Sequence, residues 1–115
     1  VRVVAAPDKF RGTATAAEVA DAIGRAAWEQ GWTCDEVPMA DGGEGLLDVL
    51  GGANRISTVT GPLGDPVDAP WRLHRSTAVI ETALASGLAL VGGAEGNEPV
   101  TASTYGTGEL INDAL

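Results

Sequence analysis

The stretch Arg2-Val3-Val4-Ala5-Ala6-Pro7-Asp8-Lys9-Phe10-Arg11-Gly12-Thr13 decides how the rest of the chain is read. Its opening is a short apolar run stopped by Pro7, the pattern of a strand buried on both faces, as in a parallel sheet. A charged loop, Asp8 to Ala14, follows. Thr15 and Glu18 then stand in S/T-x-x-E spacing, where each side chain can satisfy the other residue's free backbone N–H at a helix start. Val19, Ile23 and Ala27 recur every four residues, with Ala20 and Ala26 widening the apolar stripe, and Gly31 is placed to end the helix. Thr33 to Met39 reads as a second strand, closed by Pro38 and the loop Ala40-Asp41-Gly42-Gly43-Glu44-Gly45. Leu46, Leu47 and Leu50 mark a short second helix ending at Gly51-Gly52, and Arg55 to Thr60 a third strand. Two strand-helix-strand units of this kind predict right-handed crossovers and a three-stranded parallel sheet, half of a doubly wound α/β domain.

The pattern changes at Gly61-Pro62-Leu63-Gly64-Asp65-Pro66, which is turn chemistry throughout. Val67, Ala69, Trp71 and Leu73 occupy every second position, the period of a half-buried strand. His74-Arg75-Ser76 reads as a turn and Thr77 to Glu81 as the returning strand of an antiparallel hairpin. A boundary therefore falls between residues 1–62 and 63–115, the latter opening a second α/β domain. Ala83 to Leu90 reads as a short helix, Gly92 to Pro99 as a loop, and the last residues as a helix with Leu110, Ile111, Ala114 and Leu115 on one side. That helix is still apolar at the final residue, which suggests a fragment. Alone, such a fragment is expected to leave the hairpin face and Leu110, Ile111 and Leu115 uncovered, and to be inactive.

Composition narrows the function. The chain has 115 residues, 44% hydrophobic and 20% charged, enough for one small globular domain. Sixteen acids against seven bases give a net charge of −9, and Lys9 is the one lysine. No basic face is available for phosphate contacts, which argues against nucleic acid as a partner. No apolar stretch reaches membrane-span length, and no secretory signal is visible. A single cysteine, Cys34, excludes an internal disulfide and fits a reducing, cytoplasmic setting. Cys34 reads as a buried small hydrophobe, Trp28, Trp32 and Trp71 as packing, and His74 as solvated.

Ligands of open α/β sheets bind outside the carboxyl ends of the strands. The loops after the first and second strands carry Asp8, Lys9 and Arg11, and Asp41, Gly42, Gly43 and Glu44. Adjacent parallel strands would set them side by side. Asp8, Asp41 and Glu44 can hold Mg²⁺ or accept a proton; Lys9 and Arg11 can take a carboxylate or a phosphate. Glycines 42 and 43 let backbone N–H groups point at an anion. The combination suits phosphoryl transfer to an anionic substrate, although a surface ion pair, a tight turn and a helix cap account for the same residues one at a time. Thr104, Tyr105 and Thr107, among two glycines at a helix start, either bind an anion or cap. The phosphate-loop, dinucleotide-fingerprint, nucleophile-elbow and zinc-helix motifs are all absent.

Five segments together carry a family resemblance. They are Ala6 to Thr13, Val37 to Gly45, Val59 to Gly64, Ala78 to Glu81 and Thr104 to Ile111. In this order they resemble the amino-terminal third of bacterial glycerate kinase of type I, which phosphorylates D-glycerate with ATP. The family more often has Ser where Lys9 stands, Lys at Arg11 and Ser at Thr13, and many members are longer around Gly51 to Arg55. The resemblance implies two α/β domains with the active site between them, the first Rossmann-like and completed by chain beyond this sequence. It implies ATP and Mg²⁺ as cofactors, with Asp8, Asp41 and Glu44 as catalytic or metal-holding acids. Lys9, Arg11, Gly42, Gly43, Thr104, Tyr105 and Thr107 become substrate-binding candidates. A homo-oligomer is left open. A non-catalytic nucleotide- or anion-binding α/β module is the alternative, and a purely structural piece a third.

Overall fold

Helical and strand periods separate along the chain, and the structure separates with them. The computed structural model describes residues 1–115 as a mixed α/β chain of two compact units, Val1–Val49 and Leu50–Leu115. In the first unit, β1 (Arg2–Ala5) and β2 (Thr33–Glu36) are joined by α1 (Ala16–Glu29), and α2 (Leu46–Val49) follows. The strands pair in parallel, with Arg2 opposite Thr33 and Ala5 opposite Glu36. The capping box forms as the spacing predicts: the Glu18 N–H donates to Thr15 Oγ1 (3.2 Å) and the Thr15 N–H to Glu18 Oε2 (2.7 Å). The Thr15 N–H and, at 2.9 Å, the Thr15 hydroxyl both donate to Glu18 Oε2, and these two bonds to the ionised form hold the Glu18 carboxyl below its ordinary pKa.

The buried stripe of α1 is displaced from the expected one. Ala16, Ala20, Gly24 and Ala27 are buried, whereas Val19 is only half-buried and Ile23 and Ala26 are exposed. Close approach to the strands selects the smallest residues: the Glu36 side chain lies where a Cβ on Gly24 would stand. The two-faced burial expected of the first strand is also corrected. A single helix covers one side, so Val4 on the other is exposed, beside an Arg2–Asp35 ion pair of 2.7 Å. Trp28 and Trp32 are not packing residues here. They are exposed around an open hollow of about 430 Å³ that half-buried Cys34 also lines.

The second unit is an antiparallel meander, β3 (Arg55–Thr60), β4 (Pro66–His74) and β5 (Thr77–Val79), with α3 (Thr82–Ser86) and α4 (Tyr105–Asp113). Here the expected third parallel strand is corrected: β3 pairs antiparallel with β4, Val59 opposite Val67. The five residues between them make a hairpin, the Gly61 N–H bonding Asp65 O at 2.7 Å, and a parallel return needs a far longer crossover. The compact units accordingly divide between Val49 and Leu50, earlier than residue 62. The expected helix from Ala83 to Leu90 breaks at Gly87, where extended backbone leads into a short 3₁₀ turn, Leu88–Val91.

The alternation in β4 is as read. Ala69 and Trp71 are buried with Val59, Ala85 and Leu110, and Val67, Leu73, Ile80 and Ala114 pack around them. This corrects the expectation of an uncovered hairpin and an exposed Leu110, because α3 and α4 close over that face. Ile111 and Leu115 are exposed, as expected. Before β3, Arg72 Nη1 donates to both Gly51 O and Gly52 O at 2.9 Å, and the Asn54 amide pairs with the Leu73 N–H and C=O like an extra strand residue. No helix is long and apolar enough to cross a membrane. Since Leu110 is wholly buried, Leu110→Ala should cost about 3 kcal/mol and Thr15→Ala about 1 kcal/mol, measured by urea unfolding. Equal losses would mean that the core and the cap are wrongly ranked.

Candidate functional site

The parallel pairing of β1 and β2 does not stop at their ends. The Val37 N–H donates to Ala5 O (2.8 Å) and the Met39 N–H to Pro7 O (2.9 Å), so the chain leaves both strands still side by side. Asp8 begins one loop and Asp41 the other. In the first, the Phe10 N–H bonds Ala14 O and the Thr13 N–H bonds Phe10 O, both at 2.8 Å. Gly12 turns that loop at φ +74°, a backbone that side chains disfavour, and leaves Arg11 exposed at the tip. In the second, Asp41 Oδ1 accepts the Gly43 N–H at 3.0 Å. Gly42 stands at φ +96° with nothing near where a Cβ would lie, so its backbone is open to a ligand.

Lys9 joins the loops. Its N–H donates to Asp8 Oδ1 (2.7 Å), and its side chain, only 17% exposed, runs beside Gly43 and Gly45. The ammonium ends 3.8 Å from Asp41 Oδ1, whose side chain is 71% exposed. The Gly43 N–H, then the Lys9 charge and more weakly Arg11, hold the Asp41 carboxyl below the ordinary aspartate range. Asp41 is therefore a stable anion, better suited to hold a cation than to take a proton. Asp8 and Glu44 are exposed. Carboxylate oxygens fit a hard cation such as Mg²⁺, which takes one or two from protein and the rest from phosphate and water. Three or more acidic, histidine or cysteine side chains converge nowhere in the chain.

The structure thus brings Asp8, Lys9, Arg11, Asp41, Gly42, Gly43 and Glu44 onto two neighbouring loops. Thr104, Tyr105 and Thr107 belong to the second unit. Thr104 and Tyr105 are exposed at the start of α4, where the free N–H of Tyr105 is met by Ser103 Oγ (3.1 Å) instead of Thr104. Thr107 turns inward, its hydroxyl 2.8 Å from Ser86 Oγ. Sequence reading passed over Ser86, Ser103 and Glu109; a serine two residues before a helix start was the available signal for Ser103.

Acid-and-cation loops at the carboxyl ends of parallel strands stand where open α/β sheets take their ligands. Residues 3–115 match the sequence profile of the glycerate kinase family, and the chain belongs to that family. It is 44% identical over 126 aligned positions to a glycerate kinase of Halalkalibacterium halodurans, covering 98% of this chain and 32% of the relative. To the glycerate 2-kinase of Escherichia coli it is 43% identical over 123 positions, covering 100% and 32%. A crystal structure of a putative glycerate kinase 2 from Salmonella typhimurium LT2 superposes with a TM-score of 0.75 at 37% identity, covering 99% of this chain and 33% of that one. The chain spans about a third of the length of these relatives.

A carboxyl with a depressed pKa contributes to its loop while ionised, and loses that contribution as pH falls through the lowered value. Asp41 should therefore titrate below the ordinary aspartate range in a carbon-detected NMR titration, and Lys9→Met should move its midpoint upward. An unmoved midpoint would remove Lys9 as a cause.

Proposed function

We propose that the enzyme carrying this chain is a glycerate kinase, transferring a phosphoryl group from ATP to D-glycerate with Mg²⁺. One observation carries the reading: parallel pairing that continues to Pro7 and Met39 sets Arg11 and Lys9 on loops shared with Asp8 and Asp41. Phosphoryl transfer asks the protein mainly for positioning and charge neutralisation. Arg11, exposed at its turn, offers a two-pronged match to the glycerate carboxylate or a phosphate. The backbone of Gly42 and Gly43 can face phosphate oxygens, and Lys9 keeps the second loop in place through Asp41. Bound Mg²⁺ neutralises phosphate charge; Asp41 and Asp8 are the residues to hold it. Asp8, Asp41 and Glu44 are the candidates to take the proton from the glycerate hydroxyl, and the lowered pKa of Asp41 makes it a weak base for that task. Within the second unit, Thr104 and Tyr105, exposed at the start of α4, and Thr107 beside them are the candidates to bind an anionic group.

The finer fold belongs to the same proposal. The pairing of β3 with β4 supports a boundary before β3 in place of residue 62, so that residues 1–49 contribute to a Rossmann-like domain and the chain from β3 onward opens a second. Soluble anionic substrates and one free cysteine suit a cytoplasmic enzyme.

The test is glycerate-dependent ADP release by the full-length enzyme with ATP and Mg²⁺. Nucleotide binding without turnover would overturn the kinase reading in favour of a binding module. Asp41→Asn should lower kcat by about 100-fold, the scale of a lost charge at a reacting phosphate; activity within a few-fold of wild type would remove Asp41 from the site. Arg11→Ala should raise the KM for glycerate by roughly tenfold, the scale of one charge-assisted pair. Added salt should change that KM far less, because the local pair with Arg11, and not the long-range field, draws the substrate in.

A further inference from the structure

β3 is one of the two edge strands of the three-stranded sheet. Because the Gly61 N–H bonds Asp65 O, and bonded pairs alternate in an antiparallel ladder, Thr60 turns its own N–H and C=O to the free edge. Those groups are met from α4. Glu109 Oε2 accepts the Thr60 N–H at 2.6 Å in a half-buried position, a charge-assisted bond. Gly106, buried, stands so close to Thr60 O that any Cβ there would overlap it. Two residues on, the Ser103 N–H donates to Pro62 O at 2.9 Å. Two hydrogen bonds and one close approach thus tie Thr60 and Pro62 to residues 103–109, the segment that carries Thr104, Tyr105 and Thr107. Glu109 supplies the one side chain in the set.

We infer that Glu109 is a positioning residue: its bond to the free-edge N–H of Thr60 fixes where the Thr104–Thr107 turn presents itself to substrate. The inference rests on the proposed role of that turn. Glu109 touches no reacting atom, so its loss should loosen the turn and weaken binding while the chemical step survives.

The experiment uses the full-length enzyme with Glu109→Met, which keeps length and volume but cannot accept the bond, and Glu109→Gln, which still can. The clamp is read first, by amide exchange. In wild type the Thr60 amide should exchange at least about tenfold more slowly than that of Thr58 on the same edge, in Glu109→Met the difference should vanish, and in Glu109→Gln it should persist. Kinetics read the consequence: Glu109→Met should raise the KM for glycerate or ATP by about fivefold or more with kcat within about threefold, and Glu109→Gln should restore it. Equal exchange of Thr60 and Thr58 in wild type overturns the inference. So does an unchanged KM for both substrates in Glu109→Met, or a Gln variant no better than Met. Absence of glycerate-dependent turnover in wild type overturns the functional reading instead, and the exchange rates then decide the clamp by themselves.

Discussion

Two backbone hydrogen bonds beyond the ends of β1 and β2, from Val37 to Ala5 and from Met39 to Pro7, set the geometry on which the candidate site depends. A parallel pair sends both of its chains out at the same end, so the loops that follow start as neighbours whatever their sequence. Pro7 and Pro38 end the strands without separating them. Asp8 and Asp41 are therefore placed by backbone pairing, and side chains only refine the arrangement. Lys9 does most of that refinement, lying beneath the second loop with its charge directed at Asp41.

The electrostatics follow from this geometry. A chain of net charge −9 is a poor host for an anionic substrate unless cations are concentrated where it binds. Lys9 and Arg11 are the cations of these two loops, and they differ in exposure. Lys9 is largely covered and engaged with Asp41, while Arg11 sits at the tip of a glycine turn and is free to meet an anion. The Gly43 N–H, and then the charges of Lys9 and Arg11, hold the Asp41 carboxyl below the ordinary aspartate range.

The second unit solves a different problem. Its sheet has an open edge at β3, which exposes unpaired backbone groups. The start of α4 is laid against that edge, and Leu110 enters the core beneath β4 from the same helix. One helix therefore closes the edge and the core together. That is why the hairpin face Val67, Ala69, Trp71 and Leu73 finds cover inside its own unit.

Local rules in the sequence settled the capping box at Thr15, the alternation of β4, the turn after His74 and the final helix, because each depends on residues a few positions apart. The two charged loops were legible for the same reason, and the five family segments made the family legible too. What pairs with what was decided only in three dimensions. Arg55 to Thr60 has the same alternation whether its neighbour runs parallel or antiparallel, and only the hairpin to β4 chose between them. The stripe on α1 moved by one residue because close packing favours small side chains over the most apolar ones, a preference that periodicity does not contain. The inward turn of Thr107, the covering of Lys9 and the bond from Thr60 to Glu109 all join residues distant in the chain, and such contacts exist only once the backbone has closed.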